Sequence, residues 1–142
     1  MSEEKEKKLQ EINWAKLRKE ISDFLIITEE NVLHKNLEIP SFYHRMLSIF
    51  IAETQKYQKL KLELEFEFGK LWDLNKKSSA YDYKISELEY IINSDVNYNK
   101  LRIKAMNQKI IAEYMENAIK CISQMSYNIN NYKEIKKHLD GN

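Results

Sequence analysis

Lys56, Lys59 and Lys61 lie within two turns of one helical stretch, with Tyr57 among them, and Lys70, Lys76 and Lys77 follow shortly after. Lysines neutralise phosphates and aromatic rings stack on bases, the combination by which single strands are held without sequence preference. The same lysines, interleaved with glutamates, also serve as ordinary solubilising charge, and composition alone favours that reading. Catalytic constellations are harder to find. His34, His44 and His138 are far apart, none four residues from another, so the helical metal-binding pattern is missing and each reads as a surface or boundary residue. Cys121 falls on an apolar stripe and reads as a small buried hydrophobe. Glu63, Glu65 and Glu67 alternate with apolar residues and, in a helix, splay around the axis as a solvated face. No polar groups converge, so neither an enzyme nor a cofactor or metal site is expected.

The elements that must carry these residues are helices. In 142 residues there are two glycines, Gly69 and Gly141, and one proline, Pro40, where average usage gives roughly 10 and 7. The glycine-rich loops that cradle phosphates and dinucleotides are therefore missing, and with them the commonest ATPase and dehydrogenase readings.

Leu9, Ile12, Leu17, Ile21 and Phe24 recur at helical spacing and predict a first amphipathic helix near residues 5–24. Ile26 to Glu38 reads as an irregular connection, so that residues 1–38 form an N-terminal helix and linker. A helical core over 39–142 completes what is overall a single domain. Pro40 suits the start of a long helix, with Gly69 just past its end. Leu60 to Phe68 alternates with period two, the strand signature. The helix propensities of Leu, Lys and Glu, and the lack of any partner strand, favour helix. Residues 70–84 read as a loop, Ser86 and Glu89 as a capping box for a short helix to about Asn93, and Ser94 or Asp95 as the cap of the next helix. That last long helix runs from about Val96 to Ser126 and carries two apolar stripes. Leu101, Ala105, Ala112, Met115, Ile119 and Ile122 form one; Ile103, Met106, Ile110, Tyr114, Cys121 and Met125 form the other. Asn128, Asn130 and Asn131 mark a break before a terminal turn or two ending at Gly141. The fold class is all-α, two long helices with shorter flanking ones.

Basic and acidic residues nearly balance, 23 against 22, so the whole chain has no strong field to attract nucleic acid or lipid. The balance is not local: residues 99–142 hold 8 basic and 4 acidic side chains, residues 61–98 hold 5 and 8. No apolar run approaches the roughly 20 residues of a membrane span, the first residues carry no signal-peptide core, and the single cysteine forbids an internal disulfide; a cytosolic protein without membrane partners is expected. A helix from Pro40 to Phe68 would extend about 43 Å, against about 37 Å across a compact globule of this length. Two such helices, apolar on more than one side, predict self-association, with Ile110, Met115, Ile119 and Ile122 of the last long helix in the interface.

Four local patterns in order resemble the UvsY family of recombination mediators of T-even phages. They are Leu37-Glu-Ile-Pro40-Ser-Phe-Tyr-His-Arg45-Met-Leu47; Lys61 to Leu71 with Glu65-Phe66 and Gly69-Lys70; Ser86-Glu-Leu-Glu-Tyr-Ile-Ile-Asn-Ser-Asp95; and Ile119-Lys-Cys-Ile-Ser-Gln-Met-Ser-Tyr-Asn-Ile129. The resemblance covers about residues 36–142. It implies a non-enzymatic protein of DNA recombination and repair, acting in the cytoplasm of the infected bacterial host. Such a protein binds single-stranded DNA as a ring-shaped homo-oligomer of six or seven subunits, weakens the grip of the single-strand-binding protein, and helps the phage recombinase assemble. Lys61 and Lys70 then occupy the family's basic positions in its DNA-binding segment, and Glu63 stands where the family pattern has a second basic residue. Lys59, Lys76 and Lys77 are candidates to compensate, as are Arg102 and Lys104. The reading in a different class is a self-assembling helical scaffold with no nucleic-acid role.

Overall fold

The computed structural model describes residues 11–78 and 80–141, and among these every regular element is helical: α1 (Trp14–Phe24), α2 (Val32–Ser78), α3 (Ile85–Ser94) and α4 (Val96–Leu139). The Leu60–Phe68 stretch is helix, not strand. Its period-two pattern places Leu60, Leu64 and Phe68 half-buried on one face and leaves Leu62 and Phe66 exposed on another.

The helix boundaries differ from expectation, each for a local reason. Residues 11–13 are not helical, because the Asn13 side chain accepts the Lys16 N–H at 3.2 Å and caps α1; the earlier part of the expected helix lies outside the described residues. The irregular connection shrinks to a few residues. Thr28 and Asn31 exchange hydrogen bonds, Thr28 N–H to Asn31 Oδ1 at 2.8 Å and Asn31 N–H to Thr28 Oγ1 at 3.3 Å, so α2 starts at Val32. Pro40 is therefore interior rather than initial. Its ring removes one helical hydrogen bond and costs about 3 kcal/mol. Burial of Val32, Ile39 and Phe42 on one side, at about 1.5–3 kcal/mol each, outweighs that cost.

Gly69 does not end α2, because the inner stripe runs on through the half-buried Leu71, Trp72 and Asn75, and residues expected to form a loop continue the helix to Ser78. The cap of α3 falls two residues before the expected Ser86/Glu89 pair: Glu87 Oε2 accepts the Lys84 N–H at 2.9 Å. Asp95 caps α4 as expected, its Oδ1 accepting the Tyr98 N–H at 2.8 Å. The asparagines at 128, 130 and 131 do not break α4. Ile122, Met125 and Ile129, buried at helical spacing, carry the apolar stripe across them. Gly141 closes the helix with φ of 77°, the left-handed conformation favoured by glycine.

The described residues fall into two compact units. One joins the chain up to Tyr43 with Lys120 onward, and its core holds Leu17, Ile21, Phe24, Ile39, Phe42, Ile122, Met125 and Ile129. Phe24 stacks on Phe42 with centroids 3.8 Å apart. Lys35 Nζ closes the end of α1 by donating to the carbonyls of Asp23 and Phe24 at 2.7 and 2.6 Å. Tyr132 donates its hydroxyl to Glu29 Oε1 at 2.9 Å, and that hydrogen bond to a carboxylate raises the Tyr132 pKa.

The other unit, His44–Ile119, is built on Met46, Leu88, Ile92, Tyr98, Ala105, Ala112 and Met115. One charged group enters it. Glu53, 2% exposed, receives Lys56 Nζ at 2.8 Å on one carboxylate oxygen and Gln108 Nε2 at 2.6 Å on the other. The same Gln108 amide donates to the Glu53 carbonyl at 2.9 Å, so the node fixes the register of α2 against α4 at this level.

Candidate nucleic-acid interface

The sequence places six lysines near one another along the chain, and the helix sorts them by face. At about 100° per residue, Lys59, Lys70 and Lys77 fall within about 20° of one another, with Phe66 about 20° from Lys59. All four side chains are exposed, Phe66 at 71%. Lys59 and Lys77 make no ion pair among the described residues, and Lys70 stands a loose 3.9 Å from Glu67. The result is a cationic row about 27 Å long, from the 1.5 Å rise per residue, with an open aromatic ring within it. Such a row neutralises phosphates while the ring offers a base a stacking face.

Lys61, exposed and without an ion pair among the described residues, lies about 160° around the axis from Lys59 and is not part of the row. Lys76 sits about 100° from Lys77. Both Lys76 and Lys77 occupy the last turn of α2, where positive charge also complements the helix dipole. Glu63 is exposed on the same side as the row, between Lys59 and Lys70, and its carboxylate repels phosphate at that level. Lys56 is held by Glu53. Arg102 and Lys104 are exposed but lie on opposite flanks of α4, about 160° apart.

The four residues expected at an oligomer interface divide unequally. Met115, Ile119 and Ile122 are buried within the single chain, Met115 and Ile122 fully, whereas Ile110 is 62% exposed. The uncovered apolar surface in the first half of α4 is the start of the other stripe, Ile103, Met106 and Ile110, with Val96 before it, at the three-and-four spacing of a helix-packing seam; Met125 of that stripe is buried, and Tyr127, Ile135 and Leu139 are exposed farther along. Cys121 is exposed, contrary to its reading as a buried hydrophobe. Both stripes of α4 are apolar, so sequence did not reveal which one the chain covers by itself. Among the described residues no group of three or more His, Cys, Asp or Glu is placed to hold a metal ion, and no helix is long and apolar enough to cross a membrane.

The sequence reading missed the face itself. Its signal was the seven-four-seven spacing of Lys59, Phe66, Lys70 and Lys77, visible only once α2 is known to run unbroken past Gly69.

The fold is that of known structures. Crystal structures of the bacteriophage T4 recombination mediator protein UvsY superpose with TM-scores of 0.76 (lattice type II) and 0.74 (lattice type IV), at 12% and 11% identity. They cover 92% and 89% of this chain and 99% and 98% of theirs. At such identity the likeness is one of fold. No curated protein matches the sequence significantly. Residues 20–142 match the family model described as recombination, repair and ssDNA binding protein UvsY. That match spans most of the sequence, and the chain belongs to the UvsY family of recombination, repair and single-stranded DNA-binding proteins.

Proposed function

We propose that this chain is a non-enzymatic recombination mediator that grips single-stranded DNA along the Lys59–Phe66–Lys70–Lys77 face of α2 and does so as a closed homo-oligomer. The single observation that carries the grip is this exposed row, three lysines and an open phenyl ring on one side of a rigid helix. Lys61, Lys76, Arg102 and Lys104 act as flanking charges that widen the approach rather than as members of the row. Assembly rests on the uncovered stripe of α4 around Ile110; a ring of six or seven subunits is the form the family resemblance implies.

Multiplicity reconciles this role with a net charge of only +1. If each subunit neutralised two phosphates, a ring of six or seven would engage about 12–14, with a salt slope of roughly −8 to −10 for a single strand. Weak contacts joined in one assembly bind strongly together. Holding the strand on a curved surface disfavours a single-strand-binding protein that needs it extended and presents it to a recombinase, in the host cytoplasm. Mobility shift on an oligonucleotide at low and moderate salt, with the mass measured by sedimentation, tests the reading. The expected result is a salt-sensitive shift by a multimer; no shift at any salt would leave a self-assembling scaffold.

A further inference from the structure

Beyond the end of α2 the chain brings two tyrosine rings together in one short linker. Tyr81 and Tyr83 lie in the non-helical linker before α3, their ring centroids 5.1 Å apart at 61° in an edge-to-face pair. Tyr81 is 60% exposed and Tyr83 half-exposed. The pair is not needed to cap α3, whose start is held by Glu87. Its rings are braced by each other, the edge of one against the face of the other, which is the preferred arrangement of an aromatic pair and holds them in a defined orientation.

The surroundings are cationic. Lys76 and Lys77 precede the pair and Lys84 follows it, all exposed and none in an ion pair among the described residues. Lys77 is the last member of the α2 row. Tyr81 stands four positions after it, a span of at most about 14 Å, which about four nucleotides cover even at the 3.4 Å rise of a stacked strand. Asp82 lies between the tyrosines and repels phosphate, so what the pair can accept is the neutral face of a base and not the backbone. We infer that Tyr81 and Tyr83 form a stacking station for nucleobases, at which a strand running along the α2 lysines toward Lys77 turns its bases onto the linker.

This station rests on the proposed DNA grip of α2, and the test separates the two. Fluorescence anisotropy would measure binding of the full chain to oligothymidylate and to an abasic deoxyribose-phosphate strand of equal length. Tyr81→Ala with Tyr83→Ala is expected to weaken oligothymidylate binding about tenfold or more. Binding to the abasic strand and the salt slope should stay as they were, since no phosphate contact is lost. Tyr81→Phe with Tyr83→Phe should bind both strands as the unmodified chain does, because stacking needs the ring and not the hydroxyl.

Oligothymidylate affinity within twofold of the unmodified chain in the alanine variant would overturn the station, while weakening by Lys59→Ala, Lys70→Ala and Lys77→Ala in the same assay would leave the grip standing. Equal losses on the two strands, or a phenylalanine variant as weak as the alanine one, would overturn it as well. Failure of the unmodified chain to bind either strand at any salt would sink both.

Discussion

The two long helices are nearly equal in length, 47 and 44 residues, yet each carries an exposed row of a different kind. α2 carries the lysine row with its phenyl ring, beside exposed Leu62, Leu74, Glu63 and Asp73, whereas α4 carries the apolar row Val96, Ile103, Met106 and Ile110 beside exposed Lys100, Arg102 and Lys104. An apolar row in water gains by pairing with another apolar row, at about 25 cal/mol per Å² covered. A cationic row with an open ring gains by meeting a polyanion with bases. The difference teaches that one scaffold can hold two kinds of exposed row apart, an apolar one on one rod and a cationic one on the other, which is what the proposed assembly and grip require.

The strongest way to break that division is to charge the apolar row. Ile103→Glu with Ile110→Glu alters residues that are solvent-exposed in the single chain, so the fold should survive with unchanged helicity by circular dichroism. Sedimentation should then report one chain, and DNA affinity should fall by about 10²-fold or more as avidity is lost. Ile119→Glu would be a poorer probe, since it drives a carboxylate into the chain's own core. Retained assembly in the double variant would place the interface elsewhere.

Charge removal from the other rod should cost less. Lys59→Ala, Lys70→Ala and Lys77→Ala together should leave the mass of the assembly unchanged and flatten the salt dependence by up to about 1.4 per chain engaged, two phosphates at roughly 0.7 each on a single strand. Lys61→Ala alone, on another side of α2, should change the slope little. A larger effect from Lys61 than from the three combined would show that the strand runs along a different face.

A smaller effect, and one confined to stability, belongs to the surface where the two helices meet. Gln108→Ala removes a donor from the buried Glu53 carboxylate, which is expected to cost about 1–3 kcal/mol in urea unfolding. Replacing both by leucine should cost less than the sum of the single changes, because the orphaned carboxylate goes with its partner. DNA affinity of the folded assembly should be unaffected. Equal additive losses would show that Glu53 and Gln108 do not act as a unit.

The helical class, the helicity of Leu60–Phe68 and the Asp95 cap were legible because local propensity and burial agree there. The errors came where a local start or stop signal was outvoted by packing. Pro40, Gly69 and the asparagines near 130 all weaken a helix by fractions of a kcal/mol to about 3. Each sits where an apolar stripe continues on both sides, through Ile39 and Phe42, Leu71 and Trp72, and Met125 and Ile129. The lysines of the site were legible as a cluster but not as a face, since facing depends on helix continuity across Gly69. The apolar stripes were legible as two, but which one a single chain covers is a tertiary fact that period alone does not contain.

Gly69 offers the finest test of the comparison, since it lies in the rod assigned to DNA and its substitution adds one methyl group. A side chain there would meet nothing within 4 Å, and its φ is not in the left-handed region, so alanine fits the helix without strain. Gly69→Ala should therefore raise stability by about 0.5–1 kcal/mol through higher helix propensity. Measured as a shift in the urea midpoint at constant slope, that gain would come wholly from the backbone. Gly69 lies about 100° around the axis from Lys70, so a strand held on the lysine row passes clear of the new methyl and DNA affinity should stay unchanged. A stabilised variant that binds DNA less well would instead mean that the strand approaches the bare backbone at Gly69, and the row that grips it would have to be redrawn toward Leu62 and Lys76.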